Sequence, residues 1–138
     1  MSKNKIIVYA YVVGDIFHIG HLKAIKNAKK QGDYLIVGVL TDKATMEKKP
    51  KPIISFRQRL KTVEAIRYVD NVVPQYTYSP LPNVKKIRPN VLMESDSHKK
   101  QPANKFVESY GGKVVVTPYY KPQSSTKIKN KVKENWKK

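Results

Sequence analysis

The sequence predicts an α/β domain in which about five mostly parallel strands form one sheet with helices on both faces. Short apolar, β-branched runs alternate with segments whose apolar residues recur at helical spacing. Such alternation indicates βαβ units with right-handed crossovers. The 138 residues suit a single domain, and residues 1–138 contain no repeat and no low-complexity linker. The pattern is typical of a Rossmann-like, doubly wound sheet, which binds ligands at the carboxyl ends of its strands.

The first half of the chain supplies three predicted strands and two helices. Ile6–Val13 is an apolar run that predicts the first strand, and a helical apolar period follows it. Asp33–Leu40 predicts a second buried strand, followed by a lysine-rich loop with room for one helical turn. Ser55 is a good N-cap for a helix that runs to about Tyr68, and Asn71–Pro74 predicts a short strand stopped by proline.

The second half continues the alternation and ends in a helix. Its predicted elements, in chain order, are a helix started by Ser79 and Pro80 that ends at Ile87, a strand over Val91–Met93, a helix over Pro102–Tyr110, a strand over Lys113–Thr117 and a final helix capped by Ser124. The final helix carries Ile128, Val132 and Trp136 four residues apart.

Composition and charge narrow the classes of function. Cysteine is absent, which excludes disulfides, thiolate catalysis and cysteine-ligated zinc. The chain lacks an apolar run of about 18 residues and leads directly into its first strand, so we expect a cytoplasmic protein with no transmembrane segment. The net charge of +18 attracts nucleic acid, anionic membranes or polyphosphates alike. The lysines are spread along the chain, which favours a solvated surface, and they are densest in the final helix.

A His-Ile-Gly-His sequence marks the corner between the first strand and the first helix. His18 and His21 are three residues apart, so at the start of a helix they point to one side. Imidazoles beside a helix N-terminus can donate hydrogen bonds to a phosphate in its transition state. The same two residues also suit a structural pair, or two ligands of a metal whose third ligand is His98 or a carboxylate. The Gly-x-Gly-x-x-Gly fingerprint is missing here, which disfavours a nicotinamide or flavin enzyme.

Two boxes at opposite ends of the chain resemble the hallmark motifs of one enzyme superfamily. The stretch Asp15–His21 resembles the HxGH box of the nucleotidyltransferases, and Ser124–Lys129 resembles the ISTTKIK box of the cytidylyltransferases. Gly32–Asp42, Arg59 and Arg67–Asp70 are similar to the stretches between the boxes in glycerol-3-phosphate, phosphoethanolamine and phosphocholine cytidylyltransferases. The resemblance implies transfer of CMP from CTP to a small phosphorylated alcohol with release of pyrophosphate. It also implies a requirement for Mg²⁺ and a homodimer.

The resemblance assigns a role to each matched residue. It implies that His18 and His21 act on the α-phosphate, that Lys48 and Arg59 neutralise the β- and γ-phosphates, and that Arg67 contacts the α-phosphate or the acceptor phosphate. It also implies that Val13 and Gly14 contact the nucleotide through their backbone amides, and that Asp15 orients a histidine or holds Mg²⁺. Ser124, Ser125 and Thr126 would surround the leaving pyrophosphate. Asp96 and His98 would lie in the base or acceptor pocket.

The chain departs from the family pattern in three places and leaves other functions open. Val12–Gly14 replace the usual Gly-Thr-Phe, Ser95–His98 replace a Gly-Asp-Asp-Trp-like stretch, and Tyr119 stands where the family has an arginine shortly before its second box. An ATP-using adenylyltransferase, such as an archaeal-type FAD synthetase, uses similar boxes. A relative that binds a nucleotide without catalysis is a second alternative. A basic nucleic-acid-binding module is a third, but the sequence lacks a helix-turn-helix, an RNA-recognition motif and aromatics interleaved with arginine.

Overall fold

A computed structural model describes residues 5–95, 101–117 and 121–136. Within these ranges, five parallel strands form one sheet in the order β3-β2-β1-β4-β5. The strands are β1 (Ile7–Val12), β2 (Tyr34–Leu40), β3 (Asn71–Gln75), β4 (Val91–Ser95) and β5 (Lys113–Thr117). The predicted parallel α/β sheet is confirmed.

Helices cover both faces of the sheet. They are α1 (Ile19–Lys29), α2 (Asp42–Thr45), α3 (Phe56–Glu64), α4 (Leu81–Ile87), α5 (Pro102–Ser109) and α6 (Ser125–Trp136). On one face, Ile25 of α1 and Val63 of α3 pack on Val8 and Val37 of the central strands. On the other face, α4 and α5 pack on a second core that contains Tyr9, Ile36 and Leu92. Each central strand is therefore buried on both sides, as its continuous apolar run predicts.

The strand order creates a crevice at the carboxyl-terminal edge of the sheet. From β1 the chain moves outward to β2 and β3, and α4 then carries it back across β1 to β4. The direction of winding therefore reverses between β1 and β4, which is where doubly wound sheets bind ligands. The loop that contains His18 and His21 leaves the sheet at this point. Among the described residues, no helix is long and apolar enough to cross a membrane.

Two element boundaries differ from the prediction for local physical reasons. The helix predicted to reach Tyr68 ends at Glu64, because Ala65 closes it as a C-cap and tight turns follow. The apolar spacing continues through those turns, so the sequence period hides the stop. The strand predicted to stop at Pro74 continues to Gln75. Since β3 is an edge strand, its proline removes no hydrogen bond from the interior of the sheet.

Candidate active site

The loop between β1 and α1 is held in an unusual backbone conformation. Gly14 has φ +72°, and a side chain there would be strained although its nearest neighbours leave room for a Cβ. Ile16 has φ +46°, which is rare for a β-branched residue. Such conformations persist only where the surroundings enforce them. The surroundings in this case are the partners of Asp15, which is itself 4% exposed.

His18 and His21 form a reciprocal cap at the start of α1. The Nδ1 atom of His18 accepts from the amide of Gly20 at 3.0 Å, and Nδ1 of His21 accepts from the amide of His18 at 3.2 Å. A neutral imidazole that accepts at Nδ1 carries its proton on Nε2. The rings lie 4.0 Å apart between centroids, and the ring of Phe17 stacks on His21. Both rings thus keep an Nε2–H donor that no other described residue accepts from, beside the N-terminus of a helix.

Both histidines are neutral at physiological pH. Burial, with smaller contributions from His18 and Lys49, lowers the pKa of His21 to about 4. Burial also lowers the pKa of His18. The pair therefore donates hydrogen bonds without adding a fixed charge to the site. The sequence prediction that these two side chains act together is compatible with this arrangement.

Asp15 ties the two sequence boxes together. Burial by itself would raise the pKa of its carboxylate, but Lys129 and two backbone amides outweigh burial and lower it. The amides of Ile53 and Ile54 donate to its two oxygens at 3.0 and 2.9 Å, and the Lys129 ammonium lies 2.8 Å away. Asp15 thus joins the β1–α1 loop to the segment before α3 and to α6.

The N-terminus of α6 docks on the same loop. The Ser125 hydroxyl donates to the backbone oxygen of Asp15 at 2.5 Å, across 110 positions of sequence. Ser124 accepts from the amide of Lys127 at 3.1 Å, which confirms it as the cap of the final helix. Thr126 is exposed. The structure therefore brings Ser124, Ser125 and Thr126 to the edge of the sheet that carries the two histidines.

Arg59 has a structural role in the fold. The sequence placed it on the β- and γ-phosphates, but its side chain is buried and fully bonded to protein. Its guanidinium donates to the backbone oxygens of Ile54, Val13 and Leu40. It also forms a 2.6 Å ion pair with Asp42. In this arrangement it cannot reach a phosphate without breaking the loop that it supports. The structure therefore shows Arg59 as a support of this loop, and its contact with a nucleotide stays a prediction.

Arg67 lies at the opposite edge of the sheet from His18 and His21. Because α3 runs back from the carboxyl-terminal edge, the turn after it leads into the start of β3. Asp70, three residues later, accepts from the amide of Leu35 at the start of β2, which fixes this turn at the amino-terminal edge. Arg67 is exposed and donates to the Tyr68 hydroxyl at 3.0 Å. Within one chain the structure does not bring Arg67 to the catalytic position that the sequence assigned.

The lysine-rich connection supplies a cation close to the histidine pair. Lys48, the residue chosen from the sequence, is exposed. Lys49 is the neighbour whose charge acts on His21 and lowers its pKa. Of the two, Lys49 is therefore the better candidate for a phosphate contact, and the sequence could not distinguish it from an adjacent lysine.

The structure offers a poor fit for Asp15 as a metal ligand. Both of its oxygens already accept from amides, and the Lys129 ammonium stands where a cation would approach. Among the residues that the structure describes, three or more His, Asp or Glu side chains never gather into a group able to hold a metal. The predicted pocket residues Asp96 and His98 lie outside the described residues.

A second polar cluster at this edge was missed by sequence reasoning. Glu94, at the end of β4, accepts from the Tyr11 hydroxyl and from the side-chain amide of Gln101. Gln101 also accepts from the Ser79 hydroxyl at 3.3 Å. Burial raises the pKa of Glu94 to about 7. The cluster connects β1, β4 and the loops before α4 and α5, and its only sequence signal is an acidic residue within an apolar strand.

Comparisons with known proteins agree with this arrangement. A family model described as cytidylyltransferase-like matches residues 14–131, which include both boxes. The bifunctional protein HldE of Alcanivorax borkumensis is 33% identical over 137 residues, which cover 96% of this chain and 29% of that protein. Glycerol-3-phosphate cytidylyltransferase of Bacillus subtilis is 41% identical over 68 residues, which cover 49% of this chain and 53% of that enzyme. The chain thus spans less than a third of the length of the HldE protein.

Solved structures share the fold. The lipopolysaccharide core biosynthesis protein of Thermoplasma volcanium superposes with a TM-score of 0.71 and 25% identity, over 85% of this chain and 98% of that one. Pantoate-beta-alanine ligase of Francisella tularensis superposes with a TM-score of 0.60 and 16% identity, over 97% of this chain and 72% of that one. The second likeness concerns the fold alone.

Proposed function

This chain is a member of the cytidylyltransferase-like family, and we propose that it transfers CMP from CTP to the phosphate of a small phosphorylated alcohol, releasing pyrophosphate. The observation that carries the proposal is the pair of neutral Nε2–H donors on His18 and His21, beside the docked N-terminus of α6. The choice of CTP is supported by the likeness to a relative named as a glycerol-3-phosphate cytidylyltransferase.

The proposed step is a direct in-line displacement at the α-phosphorus. An oxygen of the acceptor phosphate forms the new P–O bond, and the bond to the β-phosphate breaks, so that the electron pair leaves with pyrophosphate. A phosphate monoester has a second pKa of about 6, so the nucleophile is already ionised near neutral pH. The step therefore needs donors and positioning rather than a general base. A site composed of histidines, lysines and a helix N-terminus is suited to that task.

In the proposed step, each residue acts on the phosphate group nearest to its position in the site. His18 and His21 donate to the α-phosphate as negative charge develops there, and their neutral state lets them approach a phosphate as hydrogen-bond donors. The free amides at the start of α6 and the Thr126 hydroxyl receive the leaving pyrophosphate. Lys49, whose charge acts on His21, meets the β- or γ-phosphate. Asp15 positions these elements by holding α6 against the β1–α1 loop.

Mg²⁺ remains a proposal that follows from the substrate. A triphosphate normally enters such a site as its magnesium complex, in which the metal is held through phosphate oxygens and water and neutralises charge. Because Asp15 is occupied by amides and by Lys129, we assign it to positioning rather than to metal ligation. We likewise keep the homodimer as a proposal, to be tested by sedimentation of the purified chain.

The proposed function is tested by pyrophosphate release. The chain is incubated with Mg²⁺, one nucleoside triphosphate and a panel of phosphorylated alcohols that includes glycerol phosphate, phosphocholine and phosphoethanolamine. We expect turnover with CTP and at least one acceptor, and much slower turnover in His18→Asn. Turnover with ATP alone would replace the proposal with an adenylyltransferase. A thermal shift with CTP but no product would indicate nucleotide binding without catalysis, and salt-sensitive binding to nucleic acid without turnover would refute the enzyme.

A further inference from the structure

The distal half of α6 presents an apolar face that the protein core leaves uncovered. No residue of α6 is buried. Ser125 and Lys129 attach the first part of the helix to Asp15. Beyond them the side chains of Val132 and Trp136 are 49% and 82% exposed. Exposed apolar side chains that adjoin on a surface, as these two do one turn apart, mark an interaction site when they form a continuous patch.

The apolar residues of α6 lie on one side of the helix. Ile128, Val132 and Trp136 follow one another at intervals of four, so they share one face. With Pro122 and Gln123 they line a shallow groove of about 360 Å³. Trp136 lies about 16 Å along the helix from Ser125, at about 1.5 Å of rise per residue. The apolar face therefore begins beside the candidate active site and runs away from it.

Lysines border this apolar face. Lys127 and Lys131 line the same groove, and Lys133 lies in the last turn. Glu134 is the only acidic residue from Ser124 to the end of the chain, and the full chain carries a net charge of +18. A helix with an apolar stripe, a terminal aromatic ring and flanking lysines is typical of segments that lie in the surface of an anionic membrane.

The lysines favour an anionic membrane over a second copy of the chain as the partner of this apolar face. A two-fold contact through this face would bring its lysines against the identical lysines of the other copy, which opposes association. A bilayer with anionic headgroups offers phosphate oxygens to the lysines and an interfacial layer to the tryptophan at the same time. We propose that the distal half of α6 docks on an anionic lipid surface, with Val132 and Trp136 entering the headgroup layer.

The experiment uses Trp136 as its own reporter, because it is the only tryptophan in the chain. The full chain is titrated with vesicles of phosphatidylcholine mixed with phosphatidylglycerol, and separately with vesicles of phosphatidylcholine alone. We expect the mixed vesicles to shift the emission to shorter wavelength, to protect it from acrylamide and to sediment the protein. High salt should reverse all three effects, because it screens the lysines. The readout needs no nucleotide, so it stands or falls independently of the proposed function.

Matched variants locate the contact. Lys131→Glu should weaken partitioning about 25-fold, about fivefold for the lost attraction and as much again for the new repulsion. Lys105→Glu makes the same charge change at an exposed position of α5 and should have a much smaller effect. Val132→Asp keeps the reporter and should abolish the emission shift, and since Val132 is half exposed the fold measured by circular dichroism should not change.

Three results would overturn the proposal. The first is an unchanged emission spectrum with no sedimentation on mixed vesicles. The second is equal weakening by Lys131→Glu and Lys105→Glu, which would mean that net charge alone attracts the chain. The third is an emission shift without vesicles that grows with protein concentration and disappears in Val132→Asp, which would assign the face to a second copy.

Discussion

Two polar clusters lie at the same edge of the sheet. One uses its hydrogen-bond donors within the protein, and the other keeps donors for a ligand. Arg59 is 1% exposed and directs its donors to three backbone oxygens and to Asp42. Among the residues that the structure describes, His18 and His21 use only Nδ1 within the protein and leave Nε2–H to donate to a ligand. One cluster builds the loop, and the other presents donors from it.

The difference shows how a scaffold separates support from chemistry. A charged side chain that is satisfied by the protein supports the β1–α1 loop, through the bond from Arg59 to the backbone oxygen of Val13. Neutral side chains that are only half satisfied are left to interact with substrate. The charged residue therefore matters most for stability, and the neutral residues matter most for turnover.

The largest expected effect is on stability, at Arg59. Arg59→Met leaves Asp42 and three backbone oxygens without their donor, so the free energy of unfolding should fall by about 3–5 kcal/mol, as for a broken buried ion pair. Urea denaturation followed by circular dichroism measures this change. A variant that folds normally and shows only a raised KM for the nucleotide would restore Arg59 to the phosphate-binding role.

The next effect is on turnover, at the histidines. His18→Asn keeps an oxygen that can cap the Gly20 amide but removes the Nε2–H donor, so kcat should fall about 10²–10³-fold, as for the loss of one oxyanion donor. The free energy of unfolding should stay within about 0.5 kcal/mol of wild type, since an asparagine is a good N-cap. Normal turnover in this variant would remove His18 from the mechanism.

A smaller effect is the dependence of stability on pH. The pKa of His21 is about 4 in the folded chain, below its ordinary value, so the unfolded chain binds more protons between these values. The free energy of unfolding should therefore fall as pH decreases from about 6.5, by about 3 kcal/mol in total, and level off below about 4.

Glu94 contributes a pH dependence of stability with the opposite sign. A matched variant is therefore needed to isolate the contribution of His21. The raised pKa of Glu94 makes the folded chain lose stability as pH rises from about 4.5 to about 7. The contribution of His21 is therefore the difference between wild type and His21→Gln, whose side chain can still accept the N-cap amide. Equal pH dependence in the two proteins, measured by thermal denaturation, would mean that His21 titrates normally.

The smallest effect separates the two adjacent lysines. Lys49→Ala should raise the KM for the nucleotide about two- to fivefold, the range expected for a partly solvated charge pair of about 0.5–1 kcal/mol. It should also raise the pKa of His21, because it removes a nearby positive charge. Lys48→Ala is the control and should change neither value. A larger increase in KM for Lys48→Ala than for Lys49→Ala would assign the phosphate contact to Lys48.

Much of the fold can be predicted because its signals are local. The apolar runs of β1 and β2 and the caps Ser55 and Ser124 each act within a few residues, and the structure confirms them. The end of α3 could not be predicted, since Ile66 and Val69 keep the apolar period in turns that are not helical.

The candidate site could be predicted only in part, because its assignments depend on distant partners. The placement of His18 and Ser125 at one edge follows from the topology of a parallel sheet. The role of Arg59 depends on Asp42 and on three backbone oxygens, and sequence spacing does not indicate that these groups surround it. The position of Arg67 at the other edge depends on where α3 ends, which its motif does not indicate.

The most direct test of the account is the protonation state of the two imidazoles. Long-range ¹H–¹⁵N spectra of the labelled chain, assigned with His18→Asn and His21→Gln, report which ring nitrogen carries the proton. At neutral pH we predict protonated Nε2 and bare Nδ1 on both residues, a pKa of about 4 for His21, and Nε2 shifts in both rings when CTP and Mg²⁺ are added. Protons on Nδ1 would contradict the proposed role of the two histidines. So would rings that titrate at their ordinary pKa and whose Nε2 signals do not shift when the nucleotide is added.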